Sequence, residues 1–270
     1  MNANLDSSTS APSRVRKPEL SLVLPIYNES ECIDGVLQEL FGVLDGLSVR
    51  YEVIAVDDGS TDATPARLRE AAVRHPALRI LRIEPNAGQS AAMGAAFRSA
   101  RGEIVITLDA DGQNDPNDIP ALIDGLRACD VCCGYRHNRR DTATKRIGSR
   151  IANRIRRRVL NDDIIDTGCT LKAFRHWVVA DLTMWKGMHR FLPLLARMQD
   201  ARIHQIPVNH RPRAGGVTKY THWSRLRQTL WDLWAVRWMQ KRNPRFRVSE
   251  LTPGGVPADA PTLPASRSDA

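Results

Sequence analysis

Residues 107–113 read Thr-Leu-Asp-Ala-Asp-Gly-Gln, and the first two of them end a largely apolar run that begins at Glu103. The run predicts a buried β-strand over residues 103–108, with Asp109 and Asp111 just beyond its last residue. Residues i and i+2 of an extended chain project to the same side, so these two carboxylates can share one hard divalent cation with diphosphate oxygens and water. The alternative interpretation is a solvated Asp-rich turn, because D-x-D-G also occurs in ordinary loops.

Strand-like and helical segments alternate on both sides of this motif. Strands are predicted at residues 20–25, 52–57, 78–83, 103–108, 130–134 and near 203–208. Helices are predicted between the strands. The second helix is expected to begin at Ser60 or Thr61, and more helix is expected beyond Cys169. This alternation predicts an α/β fold with a mostly parallel sheet and helices on both of its faces.

Polar residues follow four of the predicted strands. They are Tyr27-Asn28-Glu29, Asp57-Asp58-Gly59-Ser60, Asn86-Ala87-Gly88 and Asp109-Ala110-Asp111-Gly112-Gln113. In an open parallel sheet, ligands bind beyond the carboxyl ends of the strands. We therefore expect these residues to meet at one active site, which favours the metal-site interpretation of Asp109 and Asp111.

Asp57 and Asp58 close the second predicted strand. An acidic residue in that position can accept hydrogen bonds from a nucleobase N–H or a ribose hydroxyl. The alternative role for this stretch is helix capping by Ser60 or Thr61. Both roles can coexist, because they use different side chains.

The charge balance favours a polyanionic partner. The 270 residues include 39 Lys and Arg against 30 Asp and Glu, a net charge of +9. Nucleic acid, anionic lipid and a phosphorylated substrate all fit this balance. The five cysteines, an odd number in apolar contexts, argue against a disulfide framework and for a reducing cytoplasm. Cys129 and Cys132 lack a second ligand pair, so their surroundings indicate a buried strand rather than a zinc site.

The chain divides into four predicted regions. Residues 1–18 are expected to be a disordered leader, 19–221 the α/β domain, 222–248 an amphipathic interfacial helix and 249–270 a disordered tail. There is no secretory signal, and no apolar run approaches the ~20 residues of a membrane-spanning helix.

Residues 136–158 carry ten basic side chains, with Ile147, Ile151, Ile155 and Val159 as the seam of an amphipathic helix;. The alternative is a solvated helix face. Nucleic-acid binding would require aromatic residues among the arginines, and none lies between His137 and Leu160. The last predicted helix carries Trp223, Trp231, Trp234 and Trp238 among basic residues. This pattern is typical of a helix lying in a bilayer interface, although packing onto the core would also explain these tryptophans.

The motifs together resemble those of family 2 glycosyltransferases with the GT-A (Rossmann-like) fold. They are Leu24-Pro-Ile-Tyr-Asn-Glu29, Val56-Asp-Asp-Gly-Ser-Thr-Asp62, Asn86-Ala-Gly-Gln89 and Asp109-Ala-Asp-Gly-Gln113, and residues 107–113 narrow the resemblance toward dolichol- and polyprenyl-phosphate sugar synthases. The resemblance covers about residues 20–240. It implies that Asp109, Asp111 and Gln113 hold Mg²⁺ or Mn²⁺ and the donor diphosphate. It also implies a nucleoside pocket lined by Pro25, Tyr27, Glu29, Asp57 and Asp58.

The second half of the chain is similar to the same enzymes. Asp166–Lys172 corresponds to their acidic acceptor-site loop, and His189–Pro193 and Arg213–Tyr220 match later blocks. The whole set of motifs is most similar to that of bacterial polyprenyl-phosphate synthases that handle uronic acids or aminoarabinose derivatives. Two departures are the absence of the multi-pass membrane segment of some relatives and Thr218 in place of the more usual Ser before Lys219.

The expected acceptor determines the chemistry. A polyprenyl phosphate is already an anionic nucleophile, so it needs positive charge rather than a strong base. Arg136, Arg213 and Lys219 are the candidate catalytic cations, and Lys145, Arg146 and Ser149 the candidate acceptor-phosphate ligands. One in-line displacement would invert the anomeric centre. A hydroxyl acceptor would instead need a base, for which Asp166 is the candidate; its alternative role is to orient an arginine.

The predicted partners are a UDP- or GDP-linked sugar, a polyprenyl phosphate and an anionic membrane surface, with no nucleic acid. The protein is expected on the cytoplasmic face of the inner membrane as a peripheral protein, and a membrane-anchoring subunit is left open. The alternatives are a soluble family 2 enzyme acting on a glycan or small-molecule hydroxyl, a basic nucleic-acid-binding protein and an inactive sugar-nucleotide-binding subunit.

Overall fold

The computed structural model describes residues 17–137, 153–212 and 222–244, with backbone alone for 222–230. The strands are β1 Leu20–Ile26, β2 Tyr51–Asp57, β3 Leu78–Arg82, β4 Ile104–Thr107, β5 Val131–Arg136, β6 Lys172–Arg175 and β7 Ile203–Val208. The helices are α1 Ile33–Asp45, α2 Thr64–Arg74, α3 Gln89–Ser99, α4 Ile119–Gly125, α5 at 153–160, α6 His176–Ala180, α7 Leu192–Met198 and α8 His222–Arg242. Short 3₁₀ turns lie at Pro116–Asp118 and Met188–Phe191.

The seven strands form one sheet in the order β3-β2-β1-β4-β6-β5-β7. β3, β2, β1 and β4 are parallel to one another, and β5 and β7 form a parallel pair. β6 lies between the two groups and is antiparallel to both of its neighbours. The predicted mostly parallel α/β sheet is therefore confirmed.

β6 is the strand that the sequence did not predict, because helix was expected beyond Cys169. Its four residues, Lys172-Ala-Phe-Arg175, contain no β-branched side chain and begin with a charge. They are extended because they pair with β4 and β5, Phe174 lying opposite both Val105 and Val131. Partners remote in sequence override the weak local preference.

The beginning of α2 also differs from its prediction. The helix begins at Thr64 rather than through Ser60 or Thr61, and neither side chain caps it. Ser60 and Thr61 instead bond to Asn28 of the preceding loop. The carboxylate of Asp62 accepts a hydrogen bond from the amide of Thr64, which is the contact nearest to a cap.

Helices cover both faces of the sheet, as predicted. Alternate residues of β1 enter different cores: Leu22 and Leu24 pack with α1, α2 and α4, whereas Val23 packs with α3, α6 and α7. This follows from the two-residue period of a strand. All five cysteines are buried and free, and Val131–Cys133 is a buried strand as predicted.

A third core fixes α8 to the rest of the fold. Leu233 and Val236 are buried there against Leu160, Phe191 and Leu195. Of the predicted apolar seam, Ile147 and Ile151 lie outside the described residues, and Ile155 and Val159 are exposed on α5. Arg156 is buried instead and pairs with Asp162 at 2.9 Å, so a charged residue occupies the inner face of α5 next to Leu160.

Candidate functional site

The loops that follow β1 and β2 are joined by hydrogen bonds at the carboxyl edge of the sheet. The amide of Asn28 donates to Ser60 Oγ at 2.9 Å, and the amide of Thr61 donates to Asn28 Oδ1 at 2.8 Å. The amide of Glu29 donates to Thr64 Oγ1 at 2.9 Å. The pairing of Ile26 with Asp57 places the ends of both strands at one level. The polar residues that follow β1 and those that follow β2 therefore meet, as predicted for two of the four sets.

Asp58 joins a third loop to this pair. Its Oδ1 accepts a hydrogen bond from the amide of Ala87 at 2.8 Å, and its Oδ2 accepts from the amide of Gly88 at 2.8 Å and from Asn86 Nδ2 at 2.9 Å. The carboxylate is buried. Asp58 thus holds the turn that leads into α3, a role that the sequence analysis did not anticipate.

Asp57 is buried and held from two directions. Its Oδ1 accepts from the amide of Ser60 at 3.0 Å, and its Oδ2 accepts from Arg82 Nη1 at 3.0 Å. Of the other predicted pocket residues, Pro25 lies beside Val56 in the sheet, and Tyr27 is exposed. Glu29 Oε2 accepts from Cys32 Sγ at 3.2 Å. All five predicted pocket residues are thus at one edge.

Asp109 lies just beyond β4 and is bonded to two other segments. Its Oδ1 accepts from Gln89 Nε2 at 2.9 Å, and its Oδ2 accepts from Thr170 Oγ1 at 2.7 Å. Its amide donates to Asn114 Oδ1 at 2.9 Å. Gln89, Thr170 and Asn114 were not singled out from the sequence. Gln89 and Thr170 each belonged to a quoted motif, so both of these contacts could have been anticipated.

The pKa of Asp109 is raised to about 6, mainly by burial and also by the negative charge of Asp111. The hydrogen bond from Thr170 and the positive charges of Lys172 and Arg136 oppose this rise. Burial and the neighbouring charge of Asp111 therefore both disfavour the charged form of Asp109;. Gly112, at φ +75°, turns the chain after Asp111, and the amide of Gln113 donates to Asp111 Oδ1 at 3.1 Å.

Asp166 forms a two-pronged ion pair with Arg136. Arg136 Nε donates to Oδ2 at 2.6 Å and Nη2 donates to Oδ1 at 2.9 Å, while the amide of Gly168 also donates to Oδ1 at 3.0 Å. A Cβ at Gly168 would lie 2.9 Å from Arg136 Nη2, so a larger residue there would displace the guanidinium from this position. The geometry corresponds to the alternative in which Asp166 orients an arginine.

Lys172 is a buried cation beside this site. It is the first residue of β6, it is 1% exposed and its Nζ donates to the carbonyl of Cys169. Its charge is close enough to lower the pKa of Asp109. The sequence analysis quoted Lys172 only as the end of an acidic loop; a lysine between the apolar residues Leu171 and Ala173 was the available signal.

His189 connects the Met188–Phe191 turn to α3. Its Nδ1 lies 2.8 Å from Ser90 Oγ, and Ser90 follows the Gln89 that bonds to Asp109. Burial lowers the pKa of His189 to about 3, with smaller effects from the charges of Arg190 and Lys172. The imidazole is therefore neutral near pH 7 and acts through its hydrogen bond rather than through charge.

Five of the predicted site residues lie outside the described part of the chain. They are Lys145, Arg146, Ser149, Arg213 and Lys219. The described site therefore consists of the acidic strand ends together with Arg136 and Lys172.

The exposed face of α8 is aromatic. Trp231, Trp234 and Trp238 are 69%, 64% and 52% exposed, whereas Leu233 and Val236 between them are buried. Packing onto the core therefore does not explain these three tryptophans. The guanidinium of Arg242 lies 5.9 Å from the ring centre of Trp238. Among the helices that the structure describes, none combines the length and the apolar content that crossing a bilayer requires.

Comparison with known sequences matches residues 21–183 to Glycosyl transferase family 2. A dodecaprenyl-phosphate galacturonate synthase of Rhizobium johnstonii is 37% identical over 237 residues, 86% of this chain and 70% of that protein. An undecaprenyl-phosphate 4-deoxy-4-formamido-L-arabinose transferase of Edwardsiella ictaluri is 36% identical over 74% of this chain, but the match spans only 62% of that protein. The resemblance to enzymes of uronic acid and aminoarabinose derivatives is confirmed.

Solved structures share the fold. A Pyrobaculum calidifontis mannosyltransferase in complex with GDP-mannose and Mn²⁺ superposes with a TM-score of 0.58 at 21% identity, over 84% of this chain and 66% of that one. A Mycobacterium tuberculosis glucosyl-3-phosphoglycerate synthase with Mn²⁺, UDP and phosphoglyceric acid gives 0.64 at 18% identity, over 89% and 85%. The predicted GT-A fold is confirmed.

Proposed function

The chain belongs to glycosyl transferase family 2, and on that premise we propose that it transfers a sugar from a UDP- or GDP-linked donor to a polyprenyl phosphate. The observation that carries this proposal is the electrostatically coupled pair Asp109 and Asp111 at the carboxyl edge of the sheet. The acceptor class is supported by the polyprenyl-phosphate names of the relatives. Polar loops from three neighbouring strands lie beside the pair and can hold the donor.

The acidic pair fits a hard divalent cation, which we propose to be Mg²⁺ or Mn²⁺. The raised pKa of Asp109 shows that its charged form is disfavoured by burial and by the charge of Asp111, and a cation would relieve both effects;. Within the described residues, no three His, Cys, Asp or Glu side chains converge on a metal position, so further ligands would come from Gln113, water and the donor. Such a cation, when bound, supplies positive charge against the departing nucleoside diphosphate.

The donor's nucleoside would lie between the β1 and β2 loops. Asp57 is fixed there by Ser60 and Arg82, which limits its rotation and leaves the remaining lone pairs of its oxygens for a base or ribose contact;. Pro25, Tyr27 and Glu29 would form the opposite wall. Asp58 would contribute by holding the Asn86–Gly88 turn in place.

The acceptor phosphate would approach from the side of Arg136. A phosphate oxygen attacks the anomeric carbon while the bond from that carbon to the diphosphate breaks, and the bonding electrons leave with the nucleoside diphosphate. One such displacement inverts the anomeric centre. Arg136 would position the acceptor anion, and Lys145, Arg146, Ser149, Arg213 and Lys219 remain the sequence-predicted contributors.

The environment of Asp166 favours a phosphate acceptor over a hydroxyl acceptor. A hydroxyl needs a general base, yet both Asp166 oxygens accept hydrogen bonds from Arg136;. The guanidinium therefore occupies the oxygens that would have to accept the proton of a hydroxyl. Asp166 would therefore orient Arg136 and set its charge beside Asp109.

The proposed function is tested by transfer to a short polyprenyl phosphate from a panel of UDP- and GDP-sugars, with mass spectrometry of the lipid product. Asp111→Ala should lower transfer about 100-fold or more, because it removes half of the acidic pair. Asp34→Ala, at an exposed ion pair between α1 and α2, serves as the control. Full activity in Asp111→Ala, or no lipid product from any donor with the native protein, would contradict the proposal.

We further propose that α8 holds the protein at an anionic bilayer, on the cytoplasmic face of the inner membrane. Leu233 and Val236 pack one side of the helix into the third core. The exposed side chains of Trp231, Trp234 and Trp238 therefore lie on the solvent side of a helix that is fixed to the fold. Tryptophan combined with Lys241 and Arg242 suits the boundary between acyl chains and anionic headgroups.

Replacing all three exposed tryptophans by serine should remove cosedimentation with phosphatidylglycerol vesicles and leave the melting temperature unchanged. Val73→Ser, at an exposed apolar residue of α2, is the control. High salt should release the native protein from the vesicles, because the attraction to anionic lipid is screened. Undiminished vesicle binding by the triple variant would show that α8 is not the contact.

A further inference from the structure

Arg211 lies three residues beyond β7 and joins α1 to the loop that carries Asp111 and Gln113. Its Nη1 lies 2.7 and 2.8 Å from the two carboxylate oxygens of Glu39 in α1, and its Nη2 lies 2.8 Å from Asp115 Oδ1. One guanidinium thus bridges two carboxylates that are 76 positions apart in the sequence. This bridge was not predicted from the sequence.

The backbone of Arg211 bonds to the same loop. Its amide donates to the carbonyl of Gln113 at 2.9 Å, and Gln113 Nε2 lies 3.5 Å from the carbonyl of Arg211. The neighbouring residue pair Asn114 and His210 forms a β-bridge. Gln113 is therefore held on both its main chain and its side chain by one residue.

Two further contacts fix the loop next to Arg211. Asn209 donates its amide to Asp118 Oδ2 at 2.7 Å. Asp115, which Arg211 binds, also accepts from the amide of Asn117 at 3.0 Å and so caps the 3₁₀ turn at Pro116–Asp118. The segment 209–211 therefore spans the loop from Gln113 to Asp118 and attaches it to α1 through Glu39.

This attachment reaches the acidic pair through Gln113. The Gln113 amide donates to Asp111 Oδ1, while the Gln113 carbonyl accepts from Arg211. A shift of Gln113 would consequently change the position of the Asp111 carboxylate. We propose that Arg211 is a positioning residue that holds Asp111 where it can share a cation with Asp109. This inference rests on the proposed function.

The exposure of the ion pair separates this role from simple stabilisation. The Arg211 and Glu39 side chains are 37% and 38% exposed, and ion pairs of that kind contribute little to global stability;. The Asp115 side chain is less exposed, at 11%, but it keeps two hydrogen bonds from Asn117 when Arg211 is removed. The pair Arg67 and Asp34 is similar, at 45% and 44% exposure, and also uses a carboxylate of α1. Arg67 has no described contact with the acidic pair, so Arg67→Ala is a matched control.

The test compares Arg211→Ala, Arg211→Lys and Arg67→Ala in the full chain. Titration calorimetry would measure Mn²⁺-dependent binding of UDP and, in parallel, of GDP. Hydrogen exchange would follow residues 109–118, and thermal unfolding would report stability. Arg211→Ala should weaken Mn²⁺-dependent nucleotide binding about ten-fold and speed exchange in that loop, with a melting temperature like that of Arg67→Ala. Arg211→Lys should recover only part of the binding, because an ammonium lacks the planar fork that reaches two carboxylates.

Nucleotide binding and loop exchange in Arg211→Ala that match those of Arg67→Ala would overturn the inference. A melting temperature far below that of the control would also overturn it, because Arg211 would then support the fold as a whole. Failure of the native protein to bind either nucleotide with Mn²⁺ would instead contradict the proposed function from which the inference starts. The two failures are therefore distinguishable.

Discussion

The two sides of the site are held together in different ways. On the donor side, the loops at 27–30, 58–64 and 84–88 bond to one another through buried or partly buried groups such as Asn28, Ser60 and Asp58. On the proposed acceptor side, Arg136 and Lys172 are both close enough to Asp109 to lower its pKa, and Arg136 is paired with Asp166. The proposed donor side is therefore shaped by hydrogen bonds between loops, whereas the proposed acceptor side carries largely buried cations beside the acidic pair.

Asp58→Ala should have the largest effect on the donor side. It leaves the amides of Ala87 and Gly88 without their acceptor in a partly buried place, while the Asn86 side chain keeps only the carbonyl of residue 58, so the free energy of unfolding should fall by about 2–4 kcal/mol;. Urea denaturation measures the change, and Asp34→Ala, at an exposed carboxylate, should alter it by less than about 0.5 kcal/mol. Equal stabilities of the two variants would mean that Asp58 does not organise the donor side.

Asp166→Asn should have an intermediate effect on the acceptor side. The amide keeps one oxygen for Arg136 but loses the charge of the ion pair, so kcat should fall about ten- to a hundred-fold with an unchanged pH profile;. A general base would behave differently: its loss would lower kcat far more and remove one limb of the pH profile. Initial rates between pH 6 and 9 distinguish the two roles.

Asp109 lies between the two sides, and the titration of its carboxyl group should produce the smallest effect. The effect is a pH dependence of the free energy of unfolding, measured in EDTA. The folded pKa of Asp109, about 6, lies above that of an unfolded Asp, so the folded protein retains a proton that the unfolded chain releases;. Stability from this group is therefore fully present below pH 4 and is lost as the pH rises through 6.

The side chain at position 109 of Asp109→Asn cannot titrate, so the variant does not lose this contribution. The free energy of unfolding of the variant minus that of the native protein should therefore increase by about 1–2 kcal/mol between pH 4 and pH 7. Urea denaturation at four pH values across that interval measures the difference. A difference that stays constant with pH would show that Asp109 is not desolvated as the structure indicates.

Local patterns in the sequence determined much of the fold and the acidic half of the site. The apolar runs predicted six of the seven strands, and their order with the intervening helices predicted a parallel sheet. Because parallel strands all end at one edge, Asp57, Asp109 and Asp111 could be placed together before any contact was known. These inferences need only the two-residue period of a strand and the direction of the chain.

Contacts between distant residues decided the rest. β6 is a strand because β4 and β5 flank it, and Ser60 bonds to Asn28 rather than capping α2. Arg136 meets Asp166 across 30 positions, and Arg211 meets Glu39 across 172. The sequence by itself determined which residue types end each strand, since backbone geometry repeats locally. Only the tertiary structure decided which of them bond to one another, since that depends on how separate elements pack.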